Sequence, residues 1–191
     1  MEVNRPSSSP GAQRGTSMIE VLVTIVILVI GLLGLAGLQA RLQSSEMEAY
    51  QRAQALVLLS DMASRIAANR PNAASYVTGS SSPLGGTTAC PTSTATRQQA
   101  DASTWCNALR GAAETMGGGN VGAMVGGRGC VEALPDGSSY LVTVAWQGMS
   151  PISAPTPACG KNLYNGAAGS ACAGDLCRRV LTTIVRIGKL K

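Results

Sequence analysis

Residues 14–38 read Arg14-Gly15-Thr16-Ser17-Met18-Ile19-Glu20-Val21-Leu22-Val23-Thr24-Ile25-Val26-Ile27-Leu28-Val29-Ile30-Gly31-Leu32-Leu33-Gly34-Leu35-Ala36-Gly37-Leu38. From Met18 to Leu38 the only formal charge is Glu20. A helix of that run is roughly 30 Å long at 1.5 Å per residue, enough to cross the hydrocarbon core of a bilayer. A carboxylate just inside such a span costs a few kcal/mol in lipid unless a cation meets it, so Glu20 reads as functional. Gly31, Gly34 and Gly37 lie three apart on one side. They serve either close helix approach or no purpose beyond the ordinary glycine content of membrane helices.

The run is preceded by a polar stretch, residues 1–15, with Arg5 and Arg14 against Glu2. A secretory signal is cut after its apolar region. Here the natural processing point precedes it, at Gly15-Thr16. Cleavage there keeps the helix and creates an α-amine at Thr16, four residues from Glu20, able to meet its own Glu20 or that of a neighbouring copy.

Gly15-Thr16-Ser17-Met18-Ile19-Glu20-Val21-Leu22-Val23 resembles the class III signal of type IV pilins and pseudopilins, commonly G-F-T-L-I-E-V-L-V. The run Ile30 to Gln39 is similar to the minor pilins called type IV pilus modification protein PilV. Arg128-Gly129-Cys130-Val131, the stretch Tyr140 to Gly148, and Arg178-Arg179 also resemble that family. One departure is Thr16, where the family has Phe. The resemblance implies cleavage after Gly15 by a prepilin peptidase, N-methylation of residue 16, and a charge pair between Glu20 and the Thr16 amine. It implies a bacterial inner-membrane protein, single-pass with its head in the periplasm, later in the pilus at the cell surface. The implied partners are membrane lipid before assembly, other minor and major pilins, and the inner-membrane assembly platform. The implied role is to prime pilus assembly and support surface display, adhesion or twitching motility. Pseudopilins of type II secretion or of a competence pilus share the same Gly15/Glu20 logic.

The 191 residues amount to one domain on a stalk: residues 1–15 a leader, 16–39 a membrane or pilus-core helix, 40–70 an amphipathic continuation, 71–191 a globular head. With no Phe and 3% aromatics, the core is expected to be built from Val, Leu, Ile, Met and Ala. Six cysteines, all beyond the apolar run, suit an oxidising compartment. They orient the head outside the cytoplasm better than positive charge does, because Arg41 and Arg52 follow the run as closely as Arg14 precedes it. The net charge of +5 is dispersed and reads as a solubilising surface, with no nucleic-acid partner expected.

Leu42, Ala49, Ala53, Leu56, Leu59, Ala63 and Ile66 recur at helical spacing and predict an apolar stripe packing on a sheet. The helix should run from Thr16 to about Asn69, where Arg70-Pro71 ends it. Residues 80–96 are Ser/Thr/Gly/Pro-rich and read as loop, and residues 101–115 as a short helix. Residues 130–134 and 140–146, joined by Pro135-Asp136-Gly137, predict a β-hairpin, with a third strand at 179–187. Residues 149–175 read as loop. The sum is an α+β architecture: a long N-terminal helix packed on a small antiparallel sheet with disulfides, the fold the pilin resemblance also implies.

Six cysteines allow 15 pairings. Cys130 begins the first hairpin strand, beside the end of the second, where the loop to Cys159 emerges, so Cys130–Cys159 is the first choice. Cys90–Cys106 and Cys172–Cys177 then pair locally. Histidine is absent, which removes the usual general base and the Ser–His–Asp and Cys–His arrangements. Without His or a C-x-x-C pair, Cys172 and Cys177 are poor zinc ligands. Glu132 and Asp136 flank a turn and read as solvated charge. Gly117-Gly118-Gly119-Asn120-Val121-Gly122 matches G-x-G-x-x-G but lacks the preceding strand and following helix that nucleotide binding needs. No catalytic, cofactor or metal site is expected, and the chain reads as a component of a machine. A rival from another class is a soluble periplasmic domain released by an ordinary signal peptidase near Gly34-Leu35-Ala36, to begin at Gly37.

Overall fold

The computed structural model describes residues 17–112, 115–117, 119–120 and 124–188. The chain divides into two compact units, Met1–Gln43 and Ser44–Lys191. Helix α1, Met18–Ala68, contributes to both.

In the first unit Ser17 caps the helix: its Oγ accepts the Ile19 amide at 3.2 Å, and its carbonyl accepts from Glu20 at 2.9 Å. That satisfies donors which a helix start otherwise leaves open. From Met18 to Gln43 every side chain is exposed.

The second unit is α+β. A four-stranded antiparallel sheet has the order β1-β4-β5-β6, from Leu84–Gly85, Arg128–Ala133, Ser139–Gln147 and Arg178–Arg186. Helix α2, Arg97–Leu109, and a 3₁₀ segment, Arg70–Tyr76, complete it, beside a small hairpin of β2, Thr115–Met116, and β3, Gly119–Asn120. The β4–β5 hairpin closes through residues 135–138, with the Leu134 amide donating to Ser139 O and Gly137 at φ +66°. The side chains of β5 alternate as its pattern requires: Tyr140, Val142, Val144 and Trp146 enter the main core with Leu58, Leu59, Met62 and Ile66 of α1 and Trp105 and Leu109 of α2. The opposite face is covered too, where Cys130, Ala145, Cys159 and Tyr164 form a second cluster.

Several expectations are corrected. The buried face of α1 is Gln51, Ala55, Leu58, Leu59, Met62 and Ile66. Leu42, Ala49, Ala53 and Leu56 are exposed, so the real stripe is rotated from the expected one and shares with it Leu59, Ile66 and the half-buried Ala63. Apolar residues occur on both sides of this helix, and periodicity alone does not say which side meets the sheet. The helix does end where expected, at Ala68 just before Arg70-Pro71, but the chain continues there as a 3₁₀ segment, where the missing N–H of Pro71 costs nothing; that segment carries Tyr76 into the core. Helix α2 starts earlier and ends sooner than residues 101–115. Thr96 and Gln99 form a reciprocal capping box that fixes the start, and Gly111 follows its end at φ +73°. Residues 80–96 include the short edge strand β1. The glycine stretch contributes β3, while Gly118, Val121 and Gly122 lie outside the described residues. The core is not purely aliphatic either: Trp105, Trp146, Tyr76, Tyr140 and Tyr164 are all buried.

Candidate functional site

Two regions carry chemistry. The first is the apolar half of α1, which is long and apolar enough to cross a membrane, with none of its most apolar window buried within the chain. Beside Gly31, Gly34 and Gly37 an added Cβ would meet nothing within 4 Å, so the three form an open notch on a bare helix. Glu20 stands in its first turn, exposed. None of the ion pairs among the described residues includes it. Gly15 and Thr16, the expected processing residues, lie outside the described residues, and the expected Glu20–Thr16 pair lies there with them.

The second region is the polar framework of the head. Arg178 is 2% exposed, an unusual place for a guanidinium. It donates to Pro157 O at 2.5 Å, Pro155 O at 2.9 Å and Cys159 O at 3.0 Å, while its Nε faces the buried Asp175 carboxylate at 3.3 Å outside hydrogen-bond geometry. Asp175 in turn accepts the Asn162 amide, and its own amide donates to Asn165 Oδ1. The fork geometry of arginine thus satisfies three carbonyls of a segment with no ladder of its own, and pins 149–175 over the outer face of the sheet. Tyr164 lies in the same cover. Burial pushes its hydroxyl above the ordinary phenol range, opposed by the Arg128 guanidinium stacked on its ring at 4.8 Å.

On the other side, Arg65 donates to Asp61 at 2.9 Å and to Asp101 at 2.7 Å, and Tyr76 donates to Asp101 at 2.6 Å. This network joins α1, α2 and the 3₁₀ segment. Burial, then the Asp101 hydrogen bond, raises the Tyr76 pKa. Glu48 of α1 accepts from Arg179 of β6 and from the Met149 amide, both at 3.1 Å. Next to that pair opens a cavity of about 400 Å³, lined among others by Ser45, Arg52, Trp146 and Leu181.

The cysteines are joined as Cys90–Cys106, Cys130–Cys159 and Cys172–Cys177, with Cα–Cα distances of 5.6, 5.8 and 4.9 Å. The hairpin register puts Cys130 opposite Thr143 in mid-strand, not beside the end of β5, and the segment bearing Cys159 folds back across the sheet to reach it. Asp136 accepts from the Ser138 and Ser139 amides and the Ser139 hydroxyl, bonds that hold its pKa below the usual carboxylate value and commit it to the hairpin turn. Among the described residues no group of three His, Cys, Asp or Glu side chains could hold a metal ion. Sequence reasoning passed over Arg178, Asp175 and Glu48. The only local signal was the Arg178-Arg179 pair, and nothing in it distinguishes the buried arginine from its neighbour.

No protein-family model, curated protein or solved structure matches this chain.

Proposed function

We propose that the chain is a minor pilin of a type IV pilus, inserted in the bacterial inner membrane with its head in the periplasm and processed after Gly15. The observation that carries this reading is a bare apolar helix with one acid in its first turn, whose later turns form the core of a disulfide-linked α+β head. So much exposed apolar surface needs lipid or other helices around it. In lipid, Glu20 is costly until an ammonium meets it. Cleavage supplies one at Thr16, and pairing with the Thr16 amine of an adjacent copy selects the correct stagger as subunits enter the fibre. Three disulfides suit the oxidising side of the membrane. The reading assigns the protein to priming assembly and supporting display, adhesion or twitching.

Intact mass of the protein recovered from sheared pili tests it. A mature chain beginning at Thr16 is expected, and one beginning at Gly37 would establish the signal-peptidase rival. Glu20→Ala should still be processed and should enter pili poorly; normal incorporation would refute the charge-pairing account.

A further inference from the structure

The four-stranded sheet has two unlike edges. One is β1, two residues long and backed by α2. The other is β6, nine residues long, with a neighbour on one side only. Its phase follows from two bonds, Ile187 amide to Ser138 O and Gly148 amide to Cys177 O. Odd-numbered residues of β6 therefore bond to β5, and Val180, Thr182, Ile184 and Arg186 turn both backbone groups outward. Among the described residues no backbone bond outside the strand ladder is made at those four positions. Thr182, Ile184 and Arg186 are exposed.

Edges of this kind are normally shortened, bulged, interrupted by proline or studded with charge. Here 180–185 reads Val180-Leu181-Thr182-Thr183-Ile184-Val185, with no such device inside it. Cations stand only at the ends. Arg186 closes the strand. The cavity beside Arg179, Val180 and Leu181 holds Arg52, which is exposed and takes part in none of the ion pairs among the described residues. Glu48, the carboxylate of that cavity, is spent on Arg179 and the Met149 amide. Asp136, near Arg186, is spent on the hairpin turn.

We propose that β6 receives an extended segment of a partner protein as a fifth strand, with a carboxylate at each end of that segment, one meeting Arg52 and the other Arg186. Main-chain bonds along 180–186 hold the strand, and the separated cations set which sequences fit. Arg186 projects from the face of β6 that carries Val180, whereas Arg52 lies on the α1 face beside Leu181. The two acids therefore stand on opposite faces of the added strand, five residues apart, one opposite Leu181 and one opposite Arg186. This proposal stands on the sheet edge and does not depend on the pilus reading. The mature N-terminus decides that reading and leaves this one untouched.

The test uses the full chain in detergent micelles and the capped peptide Glu-Val-Thr-Val-Thr-Glu, with a counterpart carrying Lys at both ends. The acidic peptide should bind and slow amide exchange at Val180, Thr182 and Ile184. Thr182→Pro removes an outward N–H that the sheet does not use, so the fold keeps its ladder. It should weaken binding about tenfold or more, as expected for a lost main-chain bond plus a steric block. Arg52→Glu together with Arg186→Glu should reverse the preference between the two peptides, and that double variant carries the test alone if Thr182→Pro fails to fold. Absence of binding by the acidic peptide, equal binding of both peptides, or undiminished binding to a folded Thr182→Pro would overturn the proposal. So would self-association of the full chain that Thr182→Pro abolishes, because the occupant would then be a second copy.

Discussion

Gly129→Ala is a one-carbon change that should cost more than most core truncations. Gly129 sits in β4 between Leu84 and Val144, and its missing side chain leaves room for the Trp105 ring. A Cβ there would come within 2.5 and 2.7 Å of Cζ3 and Cζ2, and nearer still to Cη2, well inside van der Waals contact. The ring cannot step aside. Trp105 is fully buried, and its indole N–H donates to Leu58 O at 2.9 Å. Either β4 or α2 must move by about 1 Å, or the indole must lose its acceptor. Overpacking costs about 1–3 kcal/mol, and a broken hydrogen bond about 1 kcal/mol more. We expect about 3 kcal/mol in all, which for a domain of this size lowers Tm by about 6–12 °C. Thermal unfolding of the full chain, followed by near-ultraviolet circular dichroism, reads this directly. Trp105→Phe in the same background narrows the ring, and the coupling between the two changes should exceed about 0.5 kcal/mol. A Tm drop under about 2 °C, or a cost of Gly129→Ala that Trp105→Phe leaves unchanged, would refute the reasoning.

Three further outcomes follow from the same structure. Arg178→Ala leaves the Asp175 carboxylate buried without its cation and three carbonyls without their donor, so stability should fall by about 3–5 kcal/mol, with faster amide exchange across 149–175. Gln51 is buried in the core face of α1 with neither end of its amide hydrogen-bonded, so Gln51→Met should raise stability by about 1–2 kcal/mol in chemical denaturation. Burial raises the Tyr164 pKa above its unfolded value, so its contribution is complete below about pH 10 and is lost as pH rises through the folded value. Stability measured from neutral to strongly alkaline pH should decline there, and Tyr164→Phe should flatten that decline.

Much of the head was legible in local pattern. Tyr140, Val142, Val144 and Trp146 alternate against a Pro-Asp-Gly turn, which marks a hairpin and the buried face of β5 together. The apolar run before Gln39 marks a helix without a polar side. The capping box of Thr96 and Gln99 was also in the sequence as a plain T-x-x-Q, and the expected start at Asp101 missed it. Of the candidate site, Glu20 is conspicuous in any reading, whereas Gly15 and Thr16 lie outside what the structure describes.

The sequence by itself determined the elements that need only neighbours along the chain: an apolar helix, an alternating strand, a turn, a short cysteine loop. Each rests on contacts within a few residues, and periodicity records those. Tertiary structure decided which side of α1 is the inside, that Gly129 must be a glycine, and that Arg178 and not Arg179 is buried. It also decided that 149–175 is pinned as a second layer over the sheet, and that β6 is left as an open edge. Each of these depends on a surface supplied from far along the chain, such as Trp105 against Gly129 or Pro157 against Arg178, and residue order does not encode that proximity.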